Sequence, residues 1–143
     1  MVLISHRGNI NGAKPQKENR IDYIENAIQS GFDVEIDLWF VLEGLFLGHD
    51  IPQYPVELDW LQKYKDKLWI HCKNLQALNI LKNKNLNYFW HEHDSVTITS
   101  KGYIWAYPGV RCSNSIAVHP EKFNGNIPSD LLGVCSDNII NYE

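Results

Sequence analysis

Residues 32–40 read Phe32-Asp33-Val34-Glu35-Ile36-Asp37-Leu38-Trp39-Phe40. Apolar and polar side chains alternate here with the period of a β-strand. Val34, Ile36 and Leu38 therefore share one face, and Glu35 and Asp37 share the other. Upstream, Ile21, Ile24, Ala27 and Ile28 recur at helical spacing, and Gly31 stands at the usual C′ position of a helix end. Before that helix, residues 9–19 are rich in Asn, Gly, Pro and Lys and read as a loop, while Val2–His6 is a short apolar strand. Downstream, Glu43-Gly44 reads as a turn into a short strand, Leu45–Leu47, that ends at Gly48-His49-Asp50. Pro52 and Pro55 break the chain before a helix expected over Glu57–Lys65.

The same alternation returns in Leu68–Lys73, where Leu68, Ile70 and Cys72 oppose Trp69, His71 and Lys73. Leu75, Leu78 and Leu81 place a helix behind it, and Tyr88–His91 reads as a fourth strand. Ile104–Tyr107, Ile116–Val118 and Gly133–Cys135 read as further strands, separated by short connections. This β-α-β-α order predicts parallel strands with helices outside. A chain of 143 residues suits a single domain over 1–143. A TIM barrel takes about 250 residues and seldom fewer than about 200. The expectation is therefore an α/β protein, a contracted TIM-like (β/α) barrel with fewer than eight complete strand–helix units.

With 44% hydrophobic and 12% aromatic residues the chain can bury a core. Thirteen Lys and Arg against seventeen Asp and Glu leave a net charge of −4, which argues against a general nucleic-acid binder. No apolar run approaches the roughly 20 residues that span a bilayer, so no membrane insertion is expected. Met1-Val2-Leu3-Ile4 runs straight into Ser5-His6-Arg7-Gly8, unlike a secretory signal. Cys72, Cys112 and Cys135 are an odd number with no CxxC pair. A reduced, cytoplasmic protein is the expectation.

The chemistry-bearing residues cluster at strand ends. His6 and Arg7 end the first strand, Glu35 and Asp37 share a face of the second, and His49 follows Leu45–Leu47. His71 and Lys73 share a face of the next. In parallel sheets the ligand site lies beyond the carboxyl ends of the strands. Two carboxylates on one face can hold a hard divalent cation, which offsets phosphate charge. Arg7 and Lys73 suit the remaining phosphate oxygens. Two histidines, one neutral and one protonated, can serve as general base and general acid.

The ordered set His6-Arg7-Gly8, Glu18-Asn19, Glu35-x-Asp37, Gly48-His49-Asp50 and Lys73 resembles the glycerophosphodiester phosphodiesterase family. The late run Gly133-Val134-Cys135-Ser136-Asp137-Asn138 is similar to that family's closing strand. Residues 86–132 match little, so the resemblance covers about half the chain. It implies a TIM-barrel hydrolase that cleaves a small phosphodiester with bound Mg²⁺ or Ca²⁺. It makes His6 and His49 the acid/base pair, Glu35 and Asp37 metal ligands, and Arg7 and Lys73 phosphate contacts, with Glu18-Asn19 shaping the first loop. The family carries a Glu as third metal ligand where this chain has His71. An imidazole there lowers the ligand charge and favours Mn²⁺ or Zn²⁺ over Ca²⁺. Alternatively His71 contacts phosphate and a residue of His91-Glu92-His93-Asp94 completes the metal shell.

Two other readings stay open at this point. One is a member that binds a phosphorylated ligand without cleaving it; the other is a phosphodiesterase for a glycan or nucleotide-sugar substrate. Trp39, Trp60, Trp69, Trp90 and Trp105 read first as core and rim, and Cys72 is expected to point into the helix layer. Missing helices should bare apolar strand faces, so a homodimer is expected to cover them.

Overall fold

The computed structural model describes residues 1–123 and 126–143. In chain order its elements are β1 (Val2–His6), α1 (Ile21–Gln29), β2 (Asp33–Val41), β3 (Gly44–Leu47), β4 (Tyr54–Val56), α2 (Leu58–Lys63), β5 (Leu68–Cys72) and α3 (Leu75–Leu81). Then follow β6 (Tyr88–Trp90), β7 (Val96–Ile98), β8 (Ile104–Ala106), β9 (Ser115–Val118) and β10 (Gly133–Ser136). Short 3₁₀ turns cover Pro120–Lys122 and Ile139–Tyr142. Most sequence-derived elements are present to within a residue or two at each end. β4 and β7 have no counterpart in the sequence reading.

All ten strands join one mixed sheet. Seven run parallel in the order β6-β5-β2-β1-β10-β9-β8. β7 adds antiparallel to β8, and the β3–β4 hairpin adds antiparallel to the far half of β2. Along one edge, β2 thus pairs first with β1 (Asp33–Glu35) and then with β3 (Leu38–Val41). The sheet curls into a half-barrel. Ser100 N–H donates to the Tyr88 carbonyl at 2.8 Å and Thr97 Oγ1 donates to the Trp90 carbonyl at 2.9 Å, bringing β7 near β6 without a strand ladder between them.

This corrects the expected contracted TIM-like barrel. That architecture needs a helix after each parallel strand, whereas the described residues hold three α-helices, all short and all in the first part of the chain, the last of them ending at Leu81. Beyond α3 the links are an antiparallel strand, turns and 3₁₀ segments, and the second half is built from strand pairing rather than strand–helix units. The outer core packs Val34, Ile36, Leu38, Leu68, Ile70 and Cys72 against Ile24, Ala27, Leu61, Ala77 and Leu81 of the helices. Cys72 points into this layer, as expected, and burial pushes its thiol up to about 12.

The concave face has its own core of Ile4, Trp69, Phe89, Trp105, Ile116, Val118 and Cys135. Alternation turns the intervening Ala106, Ser115 and Ala117 outward, and all three are buried by the chain itself. No helix is long and apolar enough to cross a membrane among the described residues.

Candidate metal and phosphoryl site

The polar ends of the concave strands line a cleft of about 1010 Å³. His6, Arg7, Glu35, His49, His71 and Lys73 all border it. Asp37 lies beneath them, fully buried, and touches Arg7, His71 and Lys73. Parallel pairing explains the gathering. Glu35 sits opposite His6 in the β1–β2 ladder, and Asp37 sits opposite His71 in the β2–β5 ladder.

Glu35 and Asp37 are both buried, and each keeps one carboxylate oxygen without a hydrogen-bond donor: Glu35 Oε2 and Asp37 Oδ1. His71 Nδ1 lies 3.3 Å from Asp37 Oδ1 and 3.9 Å from Glu35 Oε1. Its Nε2 is 2.9 Å from the His91 carbonyl, which only accepts, so Nε2 carries the hydrogen. Nδ1 is left facing two carboxylates, where a cation or a second proton satisfies all three groups. Stacking on Phe89, with ring centroids 5.1 Å apart, fixes the imidazole plane. Ligand atoms of Glu35, Asp37 and His71 lie within 4.8 Å of one another. Orphaned buried carboxylate oxygens are costly, and this donor set fits a divalent cation.

Burial pushes the Glu35 carboxyl up, and the Asp37 charge adds to the effect. Burial acts the same way on Asp37, but the His71 contact and the Arg7 guanidinium outweigh it and hold that carboxyl below the ordinary range. Arg7 Nε approaches Asp37 Oδ2 at 2.9 Å, and Lys73 Nζ lies 3.9 Å from Asp37 Oδ1. Asn19 completes the Asp37 setting. Its Nδ2 donates to Oδ2 at 2.9 Å, and its Oδ1 accepts the Asp37 N–H at 3.0 Å.

A scan against family models and searches of curated proteins and of solved structures found nothing that matches this chain. Assignment therefore rests on the residues themselves.

His6 Nδ1 lies 2.7 Å from Asp137 Oδ1, and its Nε2 faces Glu35 Oε2 at 3.8 Å. Burial opposes charge on His6, but the Asp137 hydrogen bond and the Glu35 carboxylate prevail and raise its pKa. Asn9, fully buried, donates to both Asp137 Oδ1 and Glu18 Oε1, tying the first loop to β10. His49 is different: its side chain is 43% exposed, with Nδ1 2.8 Å from Asp50 Oδ1. Partial burial and the nearby Arg7 charge lower its pKa.

Of the His91–Asp94 run, His91, Glu92 and His93 border the cleft. His91 packs edge-on against Tyr107, and neither of its ring nitrogens has a hydrogen-bond partner. None of the four joins a cluster of metal-ligand geometry among the described residues. Sequence reasoning assigns no role to Asp137 and does not single out His119. Both follow short apolar runs that the sequence reads as strands, Ile116–Val118 and Gly133–Cys135, and the strand-end rule is the signal that points toward them.

Proposed function

We propose that this chain is a metal-dependent phosphodiester hydrolase resembling glycerophosphodiester phosphodiesterase. The observation that carries the reading is the pair of buried carboxylates, Glu35 and Asp37, each with one oxygen that lacks a hydrogen-bond donor, at the base of a cleft lined by His6, His49, Arg7 and Lys73. Glu35, Asp37 and His71 would hold Mg²⁺, Ca²⁺ or Mn²⁺, which offsets phosphate charge and polarises its oxygens when bound. Arg7 and Lys73 bind the remaining phosphate oxygens.

The two histidines divide the proton work according to their environments. His49, lowered, is neutral and accepts the proton of the attacking water at Nε2, since Nδ1 faces Asp50. His6, raised, is the acid. Asp137 takes its Nδ1–H, leaving Nε2–H to protonate the departing alcohol as the P–O bond breaks. Tyr107, 40% exposed at the cleft margin, offers a ring on which a leaving group that carries a sugar or nucleoside can stack. A cytoplasmic setting accords with three free cysteines. A homodimer would cover the exposed Val96 and Ile98 of the edge strand β7; sedimentation equilibrium reads the mass directly.

The test is hydrolysis of an activated aryl phosphodiester in Mg²⁺, Mn²⁺, Ca²⁺ or EDTA. Metal-dependent turnover is expected, falling about 10²-fold or more in both His6→Ala and His49→Ala. Turnover that survives EDTA and both substitutions would sink the reading. Binding of a phosphorylated ligand with no cleavage under any metal would replace it with a receptor.

A further inference from the structure

His119 has no part in the scheme above, yet it is among the most constrained residues of the cleft. It follows β9 in the left-handed conformation (φ 48°, ψ 55°), a setting a non-glycine residue holds only when its surroundings impose it. Its side chain is 6% exposed. Nδ1 lies 3.2 Å from Glu121 Oε1, and Glu121 in turn accepts from Ser136 Oγ at 2.9 Å and from the Tyr142 hydroxyl at 3.0 Å. A carboxylate only accepts, so Nδ1 carries the hydrogen and Nε2 holds a lone pair. Nε2 has no hydrogen bond and faces Asp137 Oδ2 at 3.9 Å, acceptor against acceptor. The His6 ring meets His119 edge-on, with centroids 4.7 Å apart.

We propose that His6, His119 and Asp137 form a second cation site, selective for Zn²⁺, whose occupation withdraws His6 from proton transfer. One ligand-capable atom from each residue lies within 4.8 Å of the other two. Two imidazoles and one carboxylate suit a borderline cation, whereas the carboxylate-rich first site suits a harder one. Tetrahedral zinc holds its ligand atoms about 3.4 Å apart. His6 Nδ1 lies 2.7 Å from Asp137 Oδ1 and His119 Nε2 lies 3.9 Å from Asp137 Oδ2, on either side of that spacing, so the carboxylate turns one oxygen to each imidazole. Glu121 supplies the outer carboxylate that ligating histidines usually hold through their second nitrogen. Zinc replaces the proton on His6 Nδ1, which leaves to solvent. The cleft supplies the fourth, open position. Withdrawal of His6 rests on the proposed function; the site itself does not.

Zinc stoichiometry tests it, measured on the metal-stripped full chain by equilibrium dialysis. Wild type is expected to bind two Zn²⁺. Asp37→Asn should bind one, His119→Gln one, and the double variant none. Asp137→Asn provides an independent second lesion should His119→Gln fail to fold. One zinc in wild type, kept in His119→Gln and lost in Asp37→Asn, would overturn the second site and leave the first standing. One zinc lost in His119→Gln but kept in Asp37→Asn would support the second site and assign the first to a harder cation alone. No bound zinc would overturn this proposal. In the Mg²⁺-loaded enzyme, zinc is expected to slow turnover at least tenfold, and His119→Gln, which keeps the first site, should lose that slowing. Two bound zinc ions with unchanged turnover would overturn the withdrawal of His6.

Discussion

His6 illustrates how a single residue takes its character from partners far away in sequence. Asp137 is 131 positions off and donates nothing, yet its carboxylate holds the His6 Nδ1–H. Burial works against the imidazolium, and Asp137 and Glu35 more than compensate, so the folded pKa lies above the ordinary value. A raised histidine stabilises the fold fully below its unfolded pKa of about 6.5 and loses that contribution as pH rises through the folded value. In EDTA, the wild type's stability advantage over His6→Gln is therefore expected to be largest near pH 6 and to shrink toward pH 9. Urea unfolding across that range measures it; an advantage that grows with pH would contradict the assignment. Asn19 is a second case. It sits at φ 63°, is 1% exposed, and holds Asp37 by both side-chain atoms. Glu35, Asp37, His71 and Lys73 were legible because they lie on or beside strands with clear alternation, and His6 and His49 because each ends a short apolar strand. Asp137 and His119 acquire meaning only when β10 and β9 are placed next to β1.

At the scale of elements, β2 organises the molecule. β5 runs parallel along one side, while β1 and β3 share the other. Asn74 ties the helix layer to this strand. Its Oδ1 accepts from Ala77 N–H at the start of α3 and from Phe40 N–H, and its Nδ2 donates to the Phe40 carbonyl. Removing a cap of this kind costs about 0.5–2 kcal/mol. Asn74→Ala is expected to fall at or above the upper end, because it also frees the end of β2; chemical denaturation gives the value. A loss below about 0.5 kcal/mol, the lower end for such a cap, would mean that β3 alone holds that end of the strand. The helices around β2 could be read from spacing because α1 and α3 are amphipathic with distinct ends. β4 and β7 could not. Tyr54-Pro55-Val56 and Val96-Thr97-Ile98 are too short to show a period, and each is a strand only through its antiparallel neighbour.

For the whole molecule, the buried carboxylates couple metal binding to stability. Glu35 borders the cleft with Asp37 buried beneath it, and the repulsion between the two charges falls on the folded state. A cation that binds only the folded form adds about 2.7 kcal/mol when present at a hundred times its Kd. Mg²⁺ at that excess is expected to raise the urea midpoint of wild type, and Asp37→Asn should abolish the response. An equal rise in both proteins would place the cation elsewhere. The sequence by itself determined the strands that carry the site, the helices of the first half, and the face on which Glu35 and Asp37 lie, because local periodicity records which side of an element is buried. It did not determine the closure of the second half. The expectation of repeated strand–helix units came from the order of elements up to α3, and strands of three or four residues beyond it hold no local signal of their partners. Only the tertiary structure decided that β10 lies between β1 and β9, that the sheet curls into a half-barrel, and that His119 and Asp137 meet His6. The deciding ladder, β1 with β10, joins segments from opposite ends of the chain, and hydrogen bonds over that separation leave no mark in any local pattern.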